Sequence, residues 1–278
     1  MRKVLLPACI SPLLSPQQPM NRTWPFVQPA EHSAEATSSV QSGLFTTSSQ
    51  DSTHSLFAPL RYTPSYPYPL IVWLHGHGSD ERQLVRVMPL VSMQNYLAVA
   101  PRGTLIAASE AGKGECFGWQ QSEEHVQEAE QRIFDSIDVV RRKFHINEER
   151  IFLAGFDCGG TMAFRVAMSC PSRFAGVLSL CGSFPTGRTP LARVTEARRL
   201  PVFLAAGRDD TTYTVADVCG DLRLLHAAGL SITLRQYPSG HELPTQMLAD
   251  ANRWIMDQIT ASGSPAPESD PQWMREAE

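Results

Sequence analysis

Six short apolar runs, bounded by glycine or proline, alternate with longer segments of helical periodicity, and this alternation constrains the fold more than any other feature. The runs are PLIVWLHG (69–76), YLAVAPRG (96–103), RIFLAGFD (150–157), AGVLSLCG (175–182), PVFLAAG (201–207) and SITLRQYP (231–238). Strands of a parallel sheet that is covered on both faces are apolar along nearly their whole length. The runs therefore predict the parallel strands of an α/β fold.

The segment 123–144 has the clearest helical period. Its apolar residues recur every three or four positions, which places them on one face: Val126, Ala129, Ile133, Ile137, Val140 and Phe144. Further helices are expected near 214–228 and 244–260. Repeated strand and helix units predict a doubly wound, mostly parallel sheet with helices on both faces. Only 183–200 separates two of the strands, so we expect no large cap domain.

Composition changes at both ends of this pattern. Residues 1–52 are rich in Ser, Thr, Gln and Pro and predict a flexible leader, and residues 261–278 predict a flexible tail. A chain of 278 residues with 42% hydrophobic content needs only one core. One domain over 53–260 is therefore expected.

Charge and cysteine usage exclude several classes of partner. A formal net charge of -4, from 24 Lys and Arg against 28 Asp and Glu, gives no broad basic surface for nucleic acid or anionic lipid. The six cysteines form no CxxC pair and no zinc-type cluster with histidine, so we expect no metal and a reducing compartment. No apolar run reaches the ~20 residues that cross a bilayer. A cytoplasmic protein is predicted; export stays an alternative because MRKVLLPACISPLL has a basic pair and a short apolar run.

Chemically useful residues follow four of the runs. The glycine-rich HGHGSD (75–80) follows the first run, GFDCGG (155–160) the third, GRDD (207–210) the fifth and PSGHE (238–242) the sixth. Ligands bind beyond the carboxyl ends of the strands in such sheets, so these segments are expected to meet. GFDCGG has the pattern of a nucleophile elbow with Asp157 at its tip, and an acid and a histidine follow in the chain order of an α/β-hydrolase triad.

From about residue 56 to residue 258 the chain resembles the phospholipase/carboxylesterase branch of the α/β hydrolases, which are small esterases and thioesterases. The resemblance rests on LIVWLHGHGSDE, APRGT, GW at 118–119, the segment from INEER to SLCG, GRDD and GHE. It implies a cytoplasmic serine hydrolase that acts on a small carboxylic ester or thioester and needs no cofactor.

By position, the resemblance implies that Asp157 occupies the place of the nucleophile and His241 that of the base. Asp210 occupies the place of the acid, with Asp209 as the alternative. The backbone N–H groups of His77 and Cys158 would form the oxyanion hole. Two further residues, His75 and Trp119, are expected to pack around the site.

Asp157 departs from the family pattern, which has serine at this position. A carboxylate at a helix N-terminus is expected to be ionised, and its oxygen should occupy the oxyanion hole and repel a substrate carbonyl. Attack on an ester carbonyl would also give a mixed anhydride instead of a stable acyl-enzyme. The residue therefore disfavours ordinary esterase chemistry.

Several interpretations stay open. The first is a hydrolase of small ester-type substrates with an altered nucleophile, which the retained Asp210 and His241 favour. The second is a hydrolase fold that binds a ligand without turnover. The third is attack by Asp157 on an epoxide or haloalkane, against which the missing cap counts. Attack by Cys158 is a further alternative, since a helix N-terminus lowers a thiol pKa, but its side chain should point away from His241.

Overall fold

The structure is a computed structural model that describes residues 54–108, 115–187 and 191–261. The predicted leader, and all but the first residue of the predicted tail, lie outside these residues. Within them the chain forms nine strands: β1 (His54–Phe57), β2 (Tyr68–Leu74), β3 (Leu97–Pro101), β4 (Thr104–Ala108), β5 (Glu115–Gly118), β6 (Ile146–Phe156), β7 (Gly176–Leu180), β8 (Val202–Gly207) and β9 (Ile232–Tyr237).

Seven strands form one sheet in the order β1-β3-β2-β6-β7-β8-β9. Every neighbouring pair is parallel except β1 with β3. The six predicted runs coincide, to within a few residues, with the six parallel strands. Strands β2, β3, β7 and β8 are buried along their whole length, as coverage of both faces requires. The predicted fold class is confirmed.

Helices cover both faces of this sheet. They are α1 (Gln83–Val91), α2 (Glu123–Lys143), α3 (Cys158–Ser169), the single turn α4 (Val194–Ala197), α5 (Val215–Ala227) and α6 (Thr245–Ala261). Buried residues of α2, α3 and α5 share a cluster with Leu70 and Val72, whereas those of α1 and α6 share a second cluster with Ile71 and Trp73. Alternate residues of β2 therefore face opposite layers. No helix in the described ranges is long and apolar enough to cross a membrane.

Helix α2 confirms the predicted apolar face. Ala129, Ile133, Ile137 and Val140 are buried, and the two terminal members of the series, Val126 and Phe144, are partly buried against the same cluster. Its first turn carries two glutamates and its last turn Arg141, Arg142 and Lys143, which complements the helix dipole.

The sequence analysis missed strand β1, the β4–β5 pair and helix α1. Strand β1 has only four residues and pairs antiparallel with β3, and β4 pairs with β5 in a separate two-stranded sheet. Helix α1 contains Pro89, a residue that normally argues against a helix interior. Strands this short depend on distant partners, and α1 depends on packing of Leu84, Val87 and Met88, so no local pattern reveals them.

Candidate active site

The carboxyl ends of β2, β6, β8 and β9 meet at one edge of the sheet, as predicted from the order of the four segments. Asp157 follows β6 directly, Asp210 lies three residues beyond β8, and His241 lies four residues beyond β9. The last two loops pack closely: a Cβ at Gly207 would lie 2.3 Å from the carbonyl oxygens of Ser239 and Gly240. Glycine at position 207 thus lets the acid and the histidine approach each other.

Asp157 lies at the tip of a sharp turn between β6 and α3. Its φ of 53° and ψ of -126° belong to a region that L-residues rarely adopt. The N–H of Asp157 donates to the carbonyl of Leu180 at 2.9 Å, which ties the tip of the turn to the end of the neighbouring strand β7. A Cβ at Gly159 would lie 2.3 Å from the carbonyl oxygen of Leu74. The small residues around the tip therefore permit the close crossing that a nucleophile elbow needs.

The two oxygens of the Asp157 carboxylate have different partners. Oδ2 accepts a hydrogen bond from the backbone N–H of His77 at 3.0 Å, and Oδ1 lies 3.4 Å from Nε2 of His241. The expectation that this carboxylate takes up a predicted oxyanion donor agrees with the His77 contact. A substrate carbonyl cannot use the same N–H while Asp157 holds it.

His241 lies between two carboxylates. Its Nδ1 is 2.8 Å from Oδ2 of Asp210, on the opposite side of the ring from Asp157. The other oxygen of Asp210, Oδ1, accepts the backbone N–H groups of Thr212 and Tyr213 at 2.8 and 2.9 Å. Asp209, the alternative acid, is exposed. The structure thus brings Asp210, and not Asp209, against the imidazole.

Asp210 is held in its ionised form. Burial of the side chain opposes ionisation, but hydrogen bonds from the Tyr213 N–H, His241 and the Thr212 N–H outweigh burial, and the pKa of Asp210 is lowered. An anion at this place fixes the orientation of the imidazole, so that Nδ1 faces Asp210 and Nε2 faces Asp157.

His75 serves the loop and not proton transfer. Its Nε2 accepts the Gly103 N–H at 2.9 Å, so the ring proton lies on Nδ1 and is donated to the Gly76 carbonyl at 2.8 Å. Burial lowers the pKa of His75, which keeps the ring neutral. Trp119 donates from Nε1 to the His75 carbonyl at 3.0 Å. Both residues pack behind the segment that presents the His77 N–H, which agrees with their expected place.

Sequence reasoning missed the ion pair that supports this segment. Arg102 donates twice to the fully buried Glu81, each time at 2.7 Å. Burial opposes ionisation of Glu81, but the Arg102 guanidinium outweighs burial and lowers the pKa of Glu81. An acid directly after HGHGSD and an arginine in APRGT are visible in the sequence, but their pairing joins two loops 21 residues apart.

Cys158 is not an activated thiol. Burial, followed by the negative charge of Asp157, raises the pKa of Cys158 to about 11. The expectation that the start of the helix lowers this pKa is wrong, because the side chain packs against the core and beside an anion. Any role of this residue as an oxyanion donor belongs to its backbone N–H.

Cys181 is a further residue that the sequence analysis did not place at the site. It directly follows β7 with a φ of 55°, and burial raises its pKa to about 12. One ligand atom each from Cys181, Asp210 and His241 lie within 4.8 Å of one another. The donor set is of a kind that binds Zn²⁺, but Asp210 and His241 already bind each other and burial opposes the thiolate.

A cavity of about 240 Å³ opens beside Asp157. Polar side chains line it, namely Gln121, Ser183 and Thr212 from separate loops and Thr161 from α3, together with the rings of Trp119 and Tyr213. A small, partly polar group fits such a cavity better than a long hydrocarbon chain.

The sheet order, the elbow and the acid–histidine pair at its carboxyl edge define an α/β hydrolase. The chain belongs to the phospholipase/carboxylesterase family, whose sequence profile matches residues 64–259.

Two curated proteins illustrate the similarity. A probable carboxylesterase SOBER1-like protein of Arabidopsis thaliana is 26% identical over 121 residues, which cover 43% of this chain and 46% of that protein. Acyl-protein thioesterase 1 of Gibberella zeae is 27% identical over 115 residues, 40% of this chain and 49% of that protein. The matches span about half the length of these relatives.

Solved structures share the fold over a longer stretch. The crystal structure of SOBER1 of Arabidopsis thaliana superposes with a TM-score of 0.58 at 20% identity and covers 69% of this chain and 99% of that chain. A carboxylesterase of Bacillus cereus gives a TM-score of 0.59 at 19% identity, over 74% of this chain and 93% of that chain. At these identities the likeness concerns the fold.

Proposed function

We propose that the protein is a hydrolase of small ester-type substrates in which Asp157 replaces the serine nucleophile, His241 is the base and Asp210 orients it. One observation carries the proposal: the Asp157 carboxylate spans the His77 N–H and Nε2 of His241, whose Nδ1 contacts Asp210. A site that only binds a ligand does not need a carboxylate, an imidazole and a second carboxylate in contact with one another. The family and the names of its similar members support an ester or thioester as substrate.

In the first step Oδ1 of Asp157 forms a bond to the electrophilic carbon of the substrate. The bond from that carbon to the leaving group breaks, and its electron pair departs with the leaving group. Asp157 is then covalently substituted on Oδ1, and its remaining carbonyl oxygen, Oδ2, keeps the hydrogen bond from the His77 N–H. The intermediate is thus formed with its own carbonyl already in contact with a backbone donor.

In the second step His241 takes a proton from water on Nε2, and the water oxygen attacks Cγ of Asp157. Negative charge develops on Oδ2, where the His77 N–H stabilises it. Collapse of this species breaks the Cγ–Oδ1 bond, and Oδ1 leaves with the substrate fragment and accepts the proton from His241. The second hydrogen of the water stays on the new carboxyl group of Asp157, which returns to the carboxylate when it releases this proton to solvent. Substitution of Asp157 also neutralises one of the two anions beside His241, which favours the neutral imidazole at this stage.

The leaving group limits which esters can react. Attack of a carboxylate on an ester carbonyl gives a mixed anhydride, so we expect turnover of thioesters and aryl esters and not of simple alkyl esters. A substrate with a reactive saturated carbon, such as an epoxide or haloalkane, is the second candidate, because its adduct on Asp157 is an ordinary ester. The His77 contact favours this candidate as well, since it activates a carbonyl that belongs to Asp157.

The alternative without chemistry is a binding protein. The occupied His77 N–H supports it, because a substrate carbonyl finds this donor already used. The two interpretations differ in one measurable property, namely whether Asp157 ever carries a covalent bond to the ligand.

His241→Gln separates them, because it removes the base and leaves the nucleophile. We expect intact-mass spectrometry of this variant, after incubation with 4-nitrophenyl acetate, a thioester, an epoxide or a bromoalkane, to show one adduct that maps to Asp157. His241→Gln/Asp157→Asn is the control without a nucleophile. If no reagent gives an adduct that the double variant lacks, covalent chemistry at Asp157 is excluded.

Labelled water tests the second step. A single turnover of the unmodified protein in heavy-oxygen water should place one labelled oxygen in the Asp157 carboxylate, because water attacks Cγ. Label found only in the released product would show that water attacks the substrate directly, with Asp157 in another role.

A further inference from the structure

A cationic side chain lies next to the cavity beside Asp157. Arg165 lies on α3, two turns beyond the elbow and one turn beyond Thr161, which lines the cavity. Its Nε donates to Oε1 of Gln121 at 2.5 Å, and its Nη2 donates to the Thr186 carbonyl at 2.8 Å. Gln121 also lines the cavity, whereas Thr186 belongs to the segment that follows β7. The guanidinium therefore lies directly behind Gln121, which forms one wall of the cavity, and ties it to the segment after β7.

The position of Arg165 on α3 sets the distance between its guanidinium and the elbow at Asp157. Side chains on a helix lean towards its N-terminus, so the guanidinium of Arg165 covers the turn that contains Thr161. Thr161 lies four residues after Asp157, which is about 6 Å along the helix axis. A group that touches both the Arg165 guanidinium and the elbow must span roughly that distance, or about four to six covalent bonds.

The charge of Arg165 has no carboxylate partner among the residues that the structure describes. Arg102, Arg141 and Arg193 each donate to a glutamate, but the hydrogen bonds described for Arg165 go to an amide oxygen and a backbone carbonyl. Carboxylates raise the pKa of Arg102 and of Arg141, whereas burial lowers the pKa of Arg165. A partly buried cation is normally paired, and an anionic ligand would supply the missing partner.

We infer that Arg165 forms a subsite for an anionic group of the substrate, and that the substrate is a small ester-type molecule carrying a carboxylate about four to six bonds from its reacting carbon. The inference rests on the proposed function for the identity of the reacting carbon. The Nη1 end of the guanidinium, which makes no described hydrogen bond, would bind the carboxylate, since charge-assisted hydrogen bonds from arginine are among the strongest available. The hydroxyls of Thr161 and Ser183 give the intervening chain a polar surface.

Equilibrium binding tests the subsite without any turnover. The probes are monoethyl glutarate, which carries a carboxylate four bonds from its ester carbonyl carbon, and ethyl pentanoate, its neutral counterpart. Both are simple alkyl esters, so we expect neither to be consumed during titration. Dissociation constants are measured by ligand-observed NMR at constant low ionic strength on the full chain.

We expect the unmodified protein to bind monoethyl glutarate about tenfold more tightly than ethyl pentanoate, and Arg165→Gln to reduce this ratio to about twofold or less. Arg173→Gln is the matched control, because Arg173 packs over the ring of Phe134, which does not line the cavity, whereas Arg165 contacts the lining residue Gln121. The same charge change at Arg173 should leave the ratio unchanged.

The inference is overturned if the unmodified protein shows no preference for the charged ester, or if Arg165→Gln retains it. Equal loss in Arg165→Gln and Arg173→Gln would also overturn it, because it would show a general effect of net charge. Failure of the proposed function appears differently, as the lack of an adduct on Asp157, and leaves this ratio measurable.

Discussion

The backbone N–H of His77 donates a hydrogen bond to Oδ2 of Asp157 at 3.0 Å, so a side chain of the protein occupies a donor that a substrate carbonyl would otherwise use. In the proposed mechanism this contact has two consequences: it keeps the donor from a substrate carbonyl, and it leaves the donor on the carbonyl oxygen of a covalently substituted Asp157.

Asp157→Ser should release the His77 N–H and place a hydroxyl beside Nε2 of His241. We expect this variant to hydrolyse 4-nitrophenyl acetate at least about 100-fold faster than Asp157→Ser/His241→Ala, because proton transfer to the base contributes on this order. The release of 4-nitrophenolate measures both rates. A folded Asp157→Ser variant with no gain would show that the oxyanion donors or His241 are misplaced for acyl transfer.

The lowered pKa of Asp210 predicts a particular pH dependence of stability. The unfolded chain binds the Asp210 proton more tightly than the folded chain, so protonation favours unfolding. This contribution is fully present above the unfolded-state pKa, near about 4, and is lost as the pH falls through the lower folded-state pKa. Urea unfolding of the unmodified protein and of Asp210→Asn should show a stability difference that narrows below about pH 4. A difference independent of pH would contradict this.

Glu81→Gln should destabilise the protein by about 2–3 kcal/mol, because it removes one partner of a buried ion pair and leaves Arg102 uncompensated. Glu148→Gln is the control, since it breaks an exposed contact with Arg141 and should cost less than about 1 kcal/mol. Chemical unfolding gives both values. Similar losses of unfolding free energy in the two variants would mean that the buried ion pair of Glu81 stabilises the protein no more than an exposed one.

Alkylation by iodoacetamide at pH 8 should distinguish the cysteines of the described part of the chain. The raised pKa values of Cys158, about 11, and Cys181, about 12, leave little thiolate at this pH, whereas Cys219 is exposed. We expect Cys219 to react at least about 100-fold faster than the other two, as judged by peptide mass mapping. Rapid modification of Cys158 would contradict this prediction and would make Cys158 a candidate nucleophile.

Gly159→Ala and Gly220→Ala should change stability in opposite directions. A methyl group at Gly159 would lie 2.3 Å from the Leu74 carbonyl oxygen, so we expect a loss of about 1–3 kcal/mol and displacement of the elbow. Gly220 lies exposed within α5 with nothing near its added Cβ, and alanine there should stabilise by about 0.5–1 kcal/mol. Thermal unfolding measures both changes. Destabilisation by Gly220→Ala would contradict the prediction, because it would show that helix propensity at position 220 does not control the stability of the protein.

Much of the fold could be predicted from local patterns. The apolar runs identified the six parallel strands, and the spacing of Ala129, Ile133, Ile137 and Val140 identified the buried face of α2. Strand β1 and the β4–β5 pair could not be predicted, because four or five residues gain strand structure only from a partner elsewhere in the chain. Helix α1 could not be predicted because it contains Pro89, which normally argues against a helix interior. Packing of the buried face of α1 outweighs this effect.

The sequence by itself determined the fold class, the edge of the sheet where the site lies, and the presence of a carboxylate at the elbow. Each of these depends on periodicity, strand order or residue identity, which short stretches of the sequence contain in full. Only the tertiary structure decided which groups contact that carboxylate. It paired Asp157 with the His77 N–H, brought Asp210 and not Asp209 against His241, packed the half-buried Cys158 thiol beside an anion, and placed Arg165 against Gln121 with no carboxylate partner among the described residues. Distances between residues 80 apart in the chain, and the desolvation that sets a pKa, arise only when separate loops meet.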